Sequence, residues 1–173
     1  MSEEKLPQRK KNRLEVFDYS APGAYFITIC TQDRKKILSE IVGDGFPVPK
    51  NNGKIAEQSI DKIPVKYPNV TVDKYVIMPN HIHMLLQIDN DPGGTGNPSP
   101  TIGTIIGWYK YHTSKYINMA RNTPGERVFQ RSFYDHVIRN QQDYNEIWQY
   151  IDSNPAKWAE DCFYNEAEEV ENL

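Results

Sequence analysis

His81 and His83, with Ile82 between them in the apolar stretch VIMPNHIHMLLQI (residues 76–88), are the side chains whose types and spacing most directly suggest chemistry. In a β-strand, residues two apart project from the same face, so the two imidazoles stand side by side while Ile82 points the opposite way. A neutral imidazole offers a lone pair to a divalent ion, and a side-by-side pair can grip one cation. Taken alone, the motif is equally compatible with two rings satisfied by backbone carbonyls, so other residues must decide.

A second candidate lies near the C-terminus, in DYNEIWQYIDSNP (residues 143–155). Tyr144, Ile147, Trp148 and Ile151 recur at helical spacing and are expected to face the core. Tyr150 falls off that stripe, onto a polar flank shared with Asp143, Glu146 and Asn154. By itself such a tyrosine is most simply an amphipathic, half-buried residue. Beside a cation it gains a role, because a phenol with a pKa near about 10 is a weak nucleophile until something lowers that pKa or takes its proton. Asn154, one turn beyond Tyr150, can add an amide oxygen to an ion held by His81 and His83. Two imidazoles, an amide oxygen and open positions suit the polarisation of a phosphate oxygen. His112 and His136 stand alone and read as structural.

Positioning these groups requires a strand for the histidines and a helix for the tyrosine. AYFITICT (24–31), rich in aromatic and β-branched residues, reads as the first strand. A turn-rich loop, GDGFPVPKNNG, precedes a helical pattern over 54–66 in which Pro64 ends or kinks the helix. Two strands follow, 70–78 and 82–88, joined by a bend at Pro79-Asn80. DNDPGGTGNPSPTIG reads as a flexible loop. An amphipathic helix over 102–119 leads to a strand within RSFYDHVIRN, and a last helix over 141–154 is expected to stop at Pro155, which pushes the preceding residue out of the α region. Strand, helix, two strands, helix, strand, helix is economically an α+β fold, a ferredoxin-like sandwich with a mainly antiparallel sheet and helices packed on one face.

At 173 residues the chain is expected to form a single domain, 1–173, with a polar basic leader (about 1–15) and an acidic C-terminal tail (about 160–173). No run approaches membrane-spanning length, and the charged N-terminus carries no apolar signal segment, so the expected location is cytoplasmic. Cys30 and Cys162 are too few and too unpatterned for a disulfide framework or a thiolate zinc site. The net charge of -3 argues against a nucleic-acid partner, yet its distribution softens the objection. Glu160, Asp161, Glu166, Glu168, Glu169 and Glu171 crowd the tail, whereas Lys110, Lys115, Arg121, Arg127, Arg131 and Arg139 lie where acids are few.

The combination YVIMPNHIH, SFYDHVIRN and DYNEIWQYIDSNP, in this order, resembles the single-tyrosine HUH transposases that act on single-stranded DNA, in particular their REP-associated tyrosine transposase branch. The resemblance spans roughly residues 25–158. It implies a ferredoxin-like fold with the histidines on the central sheet, and a divalent metal, Mg or Mn, on His81, His83 and Asn154, the last standing where many relatives have Gln. It implies that Tyr150 attacks a DNA phosphodiester to form a 5′-phosphotyrosine, with single-stranded or hairpin DNA as the partner. Lys110, Lys115, Arg131 and Arg139 are the candidates for backbone contact, with Tyr109 or Tyr116 as stacking rings. Relatives include homodimers that exchange the tyrosine helix and others that act alone. A non-catalytic nucleic-acid-binding module on the same fold is the competing reading.

Overall fold

The computed structural model describes residues 18–90 and 99–164; the basic leader, the middle of the Gly/Pro-rich loop and the tail beyond residue 164 lie outside the described residues. The elements run β1 (Gly23–Cys30), β2 (Ser39–Val42), β3 (Phe46–Pro49), α1 (Asn51–Asp61), α2 (Ile63–Lys66), β4 (Val70–Ile77), β5 (His81–Ile88), α3 (Ile102–Arg121), β6 (Tyr134–Ile138) and α4 (Gln141–Ser153). Short 3-10 segments occupy Gln32–Arg34 and Pro155–Glu160.

The main sheet has the order β4-β5-β1-β6, and each neighbouring pair is antiparallel. With α1 between β1 and β4, and α3 between β5 and β6, this is the βαββαβ ferredoxin-like connection expected from the element order. The two central strands are apolar on both faces because both faces are covered. Tyr25, Ile27 and Ile29 of β1 and Ile82, Met84, Leu86 and Ile88 of β5 form one core with Ala56 and Ile60 of α1 and Ile105, Ile106 and Tyr109 of α3. Each large side chain so buried contributes roughly 1.5–3 kcal/mol.

The opposite face carries the alternate residues, among them His81, His83 and Leu85 of β5. Here Val76, Met78 and Leu85 meet Ile151 of α4 and Trp158 of the last 3-10 segment. Helices therefore pack on both faces, correcting the expectation of one: α1 and α3 make the sandwich, and α4 folds back over the histidine face. Asn140 caps α4 by accepting from the Asp143 amide at 2.9 Å, so the sharp return after β6 is chemically specified.

Local expectations changed at several places. The turn-rich loop contains a hairpin, β2 and β3, whose Gly45 (φ +103) lies so close to Ala156 that a Cβ there would stand 2.4 Å from the Ala156 Cα. The hairpin thereby buttresses the segment Pro155–Glu160. The helix predicted over 54–66 is two, because Pro64 sits in the first turn of α2, where its missing N–H is not needed. Asn154 remains helical (φ -57, ψ -44) despite preceding Pro155, since the chain continues directly into the 3-10 segment whose Trp158 is buried. Of the predicted apolar stripe only Ile151 is buried; Trp148 is 37% exposed, stacked on Tyr144 and capped by the Lys74 ammonium 4.5 Å from its ring.

Candidate active site

His81 and His83 are both buried, and the residues around them decide which nitrogen is bare. Asn80 Nδ2 donates to the Phe163 carbonyl at 2.8 Å, which leaves Asn80 Oδ1 to accept from His81 Nδ1 at 2.9 Å. A neutral His81 with its proton on Nδ1 has a free lone pair on Nε2. His83 Nδ1 is engaged by the Thr28 hydroxyl at 2.8 Å, and its Nε2 stands 3.1 Å from His81 Nε2. Burial pushes both imidazoles down to about 3; beside that main cause, Asn154 opposes and Arg34 reinforces the shift at His81, while His81 reinforces and Asp161 opposes it at His83. Neutral rings with converging Nε2 atoms are what a metal ion requires.

Asp161 completes the cluster. The ligand atoms of His81, His83 and Asp161 lie within 4.8 Å of one another, and the Asp161 side chain is only 1% exposed. Its Oδ2 is 3.8 Å from His81 Nε2, but with His81 neutral this is no ion pair, and the buried carboxylate has no cation in contact among the described residues. Its oxygens accept only from neutral donors, Asn154 Nδ2 and, at 2.8 Å, the Phe163 amide, so the arrangement fits a bound cation. Asn154 is oriented by donating Nδ2 to Asp161 Oδ2 at 2.7 Å, and its Oδ1 is buried without a hydrogen-bond partner. That orphaned oxygen lies next to His81, near enough to favour the charged ring yet outside hydrogen-bond geometry.

Tyr150, 42% exposed at the edge of α4, places its hydroxyl 3.4 Å from His83 Nε2, with Phe26 edge-on to its ring. Burial first, then the electrostatics of neighbouring Asp161 and Cys162, push the phenol up to about 12. It is protonated at neutral pH in this state and would ionise readily only with added positive charge beside it. The predicted convergence of a helix tyrosine and two strand histidines is therefore present within one chain. Phe163 packs over both imidazoles, with ring centroids 4.6 Å from His81 and 6.2 Å from His83.

A family model described as "Transposase IS200 like" matches residues 22–154. The chain belongs to this IS200-like transposase family. An uncharacterized protein of Haemophilus influenzae is 31% identical over 92% of this chain and 94% of its own length. A second protein of that organism, named provisionally as a REP-associated tyrosine transposase, is 28% identical over 81% of this chain and 74% of its own. Among solved structures, a REP-associated tyrosine transposase bound to a REP hairpin superposes with a TM-score of 0.56 at 19% identity, covering 92% of this chain and 87% of that one. The branch recognised from the motifs agrees with these names, and the last comparison adds agreement in fold.

Within this transposase fold the remaining sequence candidates scatter. Lys110 Nζ donates to the carbonyls of Gln130 and Arg131, a structural clamp between α3 and the chain entering β6. Lys115 is exposed on α3, across the sheet from Tyr150, while Arg131 and Arg139 are exposed on either side of β6. Tyr109 is fully buried and donates to the Ala56 carbonyl, so it is no stacking ring; Tyr116 is exposed beneath the Lys62 ammonium. As expected, His112 and His136 stand apart from the cluster, stacked on Trp108 and paired with Asp143 respectively. Sequence reasoning missed Asp161, which it counted only as tail charge, and Asn80, whose position beside the His pair was the available signal.

Proposed function

We propose that this chain is a single-strand DNA transposase that cleaves and rejoins DNA at hairpin ends, with Tyr150 as nucleophile. His81, His83 and Asp161 would hold a divalent ion, Mg or Mn, with the orphaned Asn154 oxygen as a further donor; mixed nitrogen and oxygen donors admit either ion. The observation that carries the reading is the Tyr150 hydroxyl 3.4 Å from His83 Nε2, at the open edge of the cluster. When bound, the ion supplies positive charge that stabilises the phosphoryl oxygens and eases ionisation of the phenol.

The chain's own groups do the rest. As the bond from Tyr150 oxygen to phosphorus forms, the bond from phosphorus to the 3′-oxygen breaks. The phenol proton passes to water, and the departing 3′-oxygen takes one up, leaving a 5′-phosphotyrosine and a free 3′-hydroxyl. The linkage conserves the phosphodiester, so a 3′-hydroxyl from another strand can attack it and rejoin the DNA. Phe26 packs edge-on against the tyrosine, Ile151 anchors its helix on the sheet, and Asn80 and Thr28 orient the imidazoles. Because Tyr150 meets the histidines of its own chain, the reading needs no exchange of helices in a dimer. The relative solved with a REP hairpin supports hairpin DNA as the substrate class. One domain, 1–173, acting in the cytoplasm belongs to the same proposal; no described helix is long and apolar enough to cross a membrane.

Incubation with hairpin oligonucleotides carrying single-stranded flanks, in Mn, is expected to trap a denaturation-resistant protein–DNA adduct that Tyr150→Phe abolishes. Equal trapping by the Phe variant removes Tyr150 from the role. Chelator-insensitive DNA binding with no adduct under any condition supports the non-catalytic binding module instead.

A further inference from the structure

Arg34 takes no part in the site as described, yet the fold spends backbone strain to place it there. Asp33 (φ 57) and Arg34 (φ 56) are consecutive non-glycine residues in the left-handed region, a conformation L-residues adopt rarely and seldom in pairs. The turn is bolted down around them. Thr31 N donates to the Asn80 carbonyl at 2.9 Å, the Thr31 hydroxyl reaches the Asn80 and Lys35 carbonyls, and Gln32 N donates to Val128. Asn80 is the residue that orients His81, so the strained turn and the metal-type cluster share one anchor.

The side chain is exposed, and its nearest ring partner lies at the histidine cluster. Its guanidinium lies 5.5 Å from the centre of the Phe163 ring, the ring that covers both imidazoles. Among the described residues no carboxylate forms an ion pair with it; the adjacent Asp33 carboxylate is taken by Gln32 at 2.8 Å. Because that ring lies 4.6 Å from His81, the cation stands beside the cluster, and its charge also lowers the His81 pKa.

We infer that Arg34 is a phosphate-binding residue of the catalytic centre, gripping the DNA backbone at or next to the linkage presented to Tyr150. A planar, permanently charged guanidinium matches a phosphate with two parallel hydrogen bonds, and a rigid turn fixes the direction of approach. In the DNA-free protein the Phe163 ring provides the cation's resting contact. The inference deepens the transposase reading and rests on it.

The test uses the full chain as wild type, Arg34→Ala and Arg34→Lys, with Mn and hairpin oligonucleotides bearing single-stranded flanks. Arg34→Ala is expected to slow single-turnover adduct formation about 10–100-fold, with Arg34→Lys intermediate. Its plot of log DNA affinity against log salt should be shallower by about 0.7, the loss of one phosphate contact to a single strand. Mn binding measured without DNA should be unchanged, which a merely structural role would not predict. Adduct rates within twofold of wild type, an unchanged salt slope, or a loss of Mn affinity equal to the loss of rate would each overturn the assignment. If Arg34→Ala fails to fold, the same three readouts on the uncharged Arg34→Gln decide. If wild type forms no adduct, the transposase reading fails by itself, and the salt slope still judges whether Arg34 contacts phosphate.

Discussion

Acidification should destabilise the metal-free protein steeply, for a reason visible at the two buried imidazoles. Both are held at about 3 in the folded chain, against an ordinary value of 6.5. The unfolded chain therefore binds two more protons than the folded one across the interval between those values. The stabilisation is fully present above about pH 6.5 and is lost as the pH falls toward 3. At pH 5 each histidine favours the unfolded state by about 2 kcal/mol relative to pH 7, and the pair by about 4 kcal/mol. Set against a typical total of about 5–15 kcal/mol, that is a large share. Urea unfolding at pH 7, 6 and 5 with chelator present, checked for a constant denaturant slope, measures it directly. His83→Gln should cut the pH-dependent loss to about half, because only one buried imidazole remains to be protonated on unfolding. Saturating Mn should raise stability at pH 7 and exaggerate the acid sensitivity, since ligation needs both rings neutral. A stability that changes by less than about 1 kcal/mol between pH 7 and 5 would refute the argument that burial keeps these rings neutral.

Asp161→Ala removes the cluster's only carboxylate and should weaken Mn binding at least about tenfold by calorimetry. Chelation should stop adduct formation while leaving the far-ultraviolet circular dichroism at pH 7 unchanged, because the sheet cores do not depend on the ion. Ile151→Ala empties the one buried position of α4 and should cost about 2–4 kcal/mol in urea unfolding, with a further loss of adduct rate as Tyr150 loosens. Gly45→Ala forces a side chain into a positive-φ turn against Ala156 and should cost about 2–3 kcal/mol. A Gly45→Ala protein as stable as wild type would mean the hairpin does not brace the segment leading to Asp161.

Much of the architecture was legible because its signals are local. Short apolar runs bounded by turn residues over 24–31 and 82–88 identify the central strands, helical spacing over 102–119 identifies α3, and the strand-helix order leaves few antiparallel topologies. The hairpin at 39–49 escaped because its strands are short and carry two prolines, Pro47 and Pro49, which belong only at the edge of a sheet. The second covered face escaped because the helical spacing of Tyr144, Ile147, Trp148 and Ile151 says that α4 packs on a core but not on which face of the sheet.

What the amino-acid order determined by itself was the pair of imidazoles on one strand face and a tyrosine with an amide one helical turn beyond, since strand and helix periods are properties of the backbone. The tertiary structure alone decided that α4 returns across that face, so that the Tyr150 hydroxyl reaches His83. It also drew Asp161 out of an apparently solvated acidic run into a buried cluster and carried Arg34 to its mouth. Those placements depend on contacts between segments far apart in the chain, Asn80 with Thr31 and Phe163, Gly45 with Ala156, Tyr150 with His83. Charge and spacing along a sequence carry no record of which distant backbone will come to lie beside a side chain.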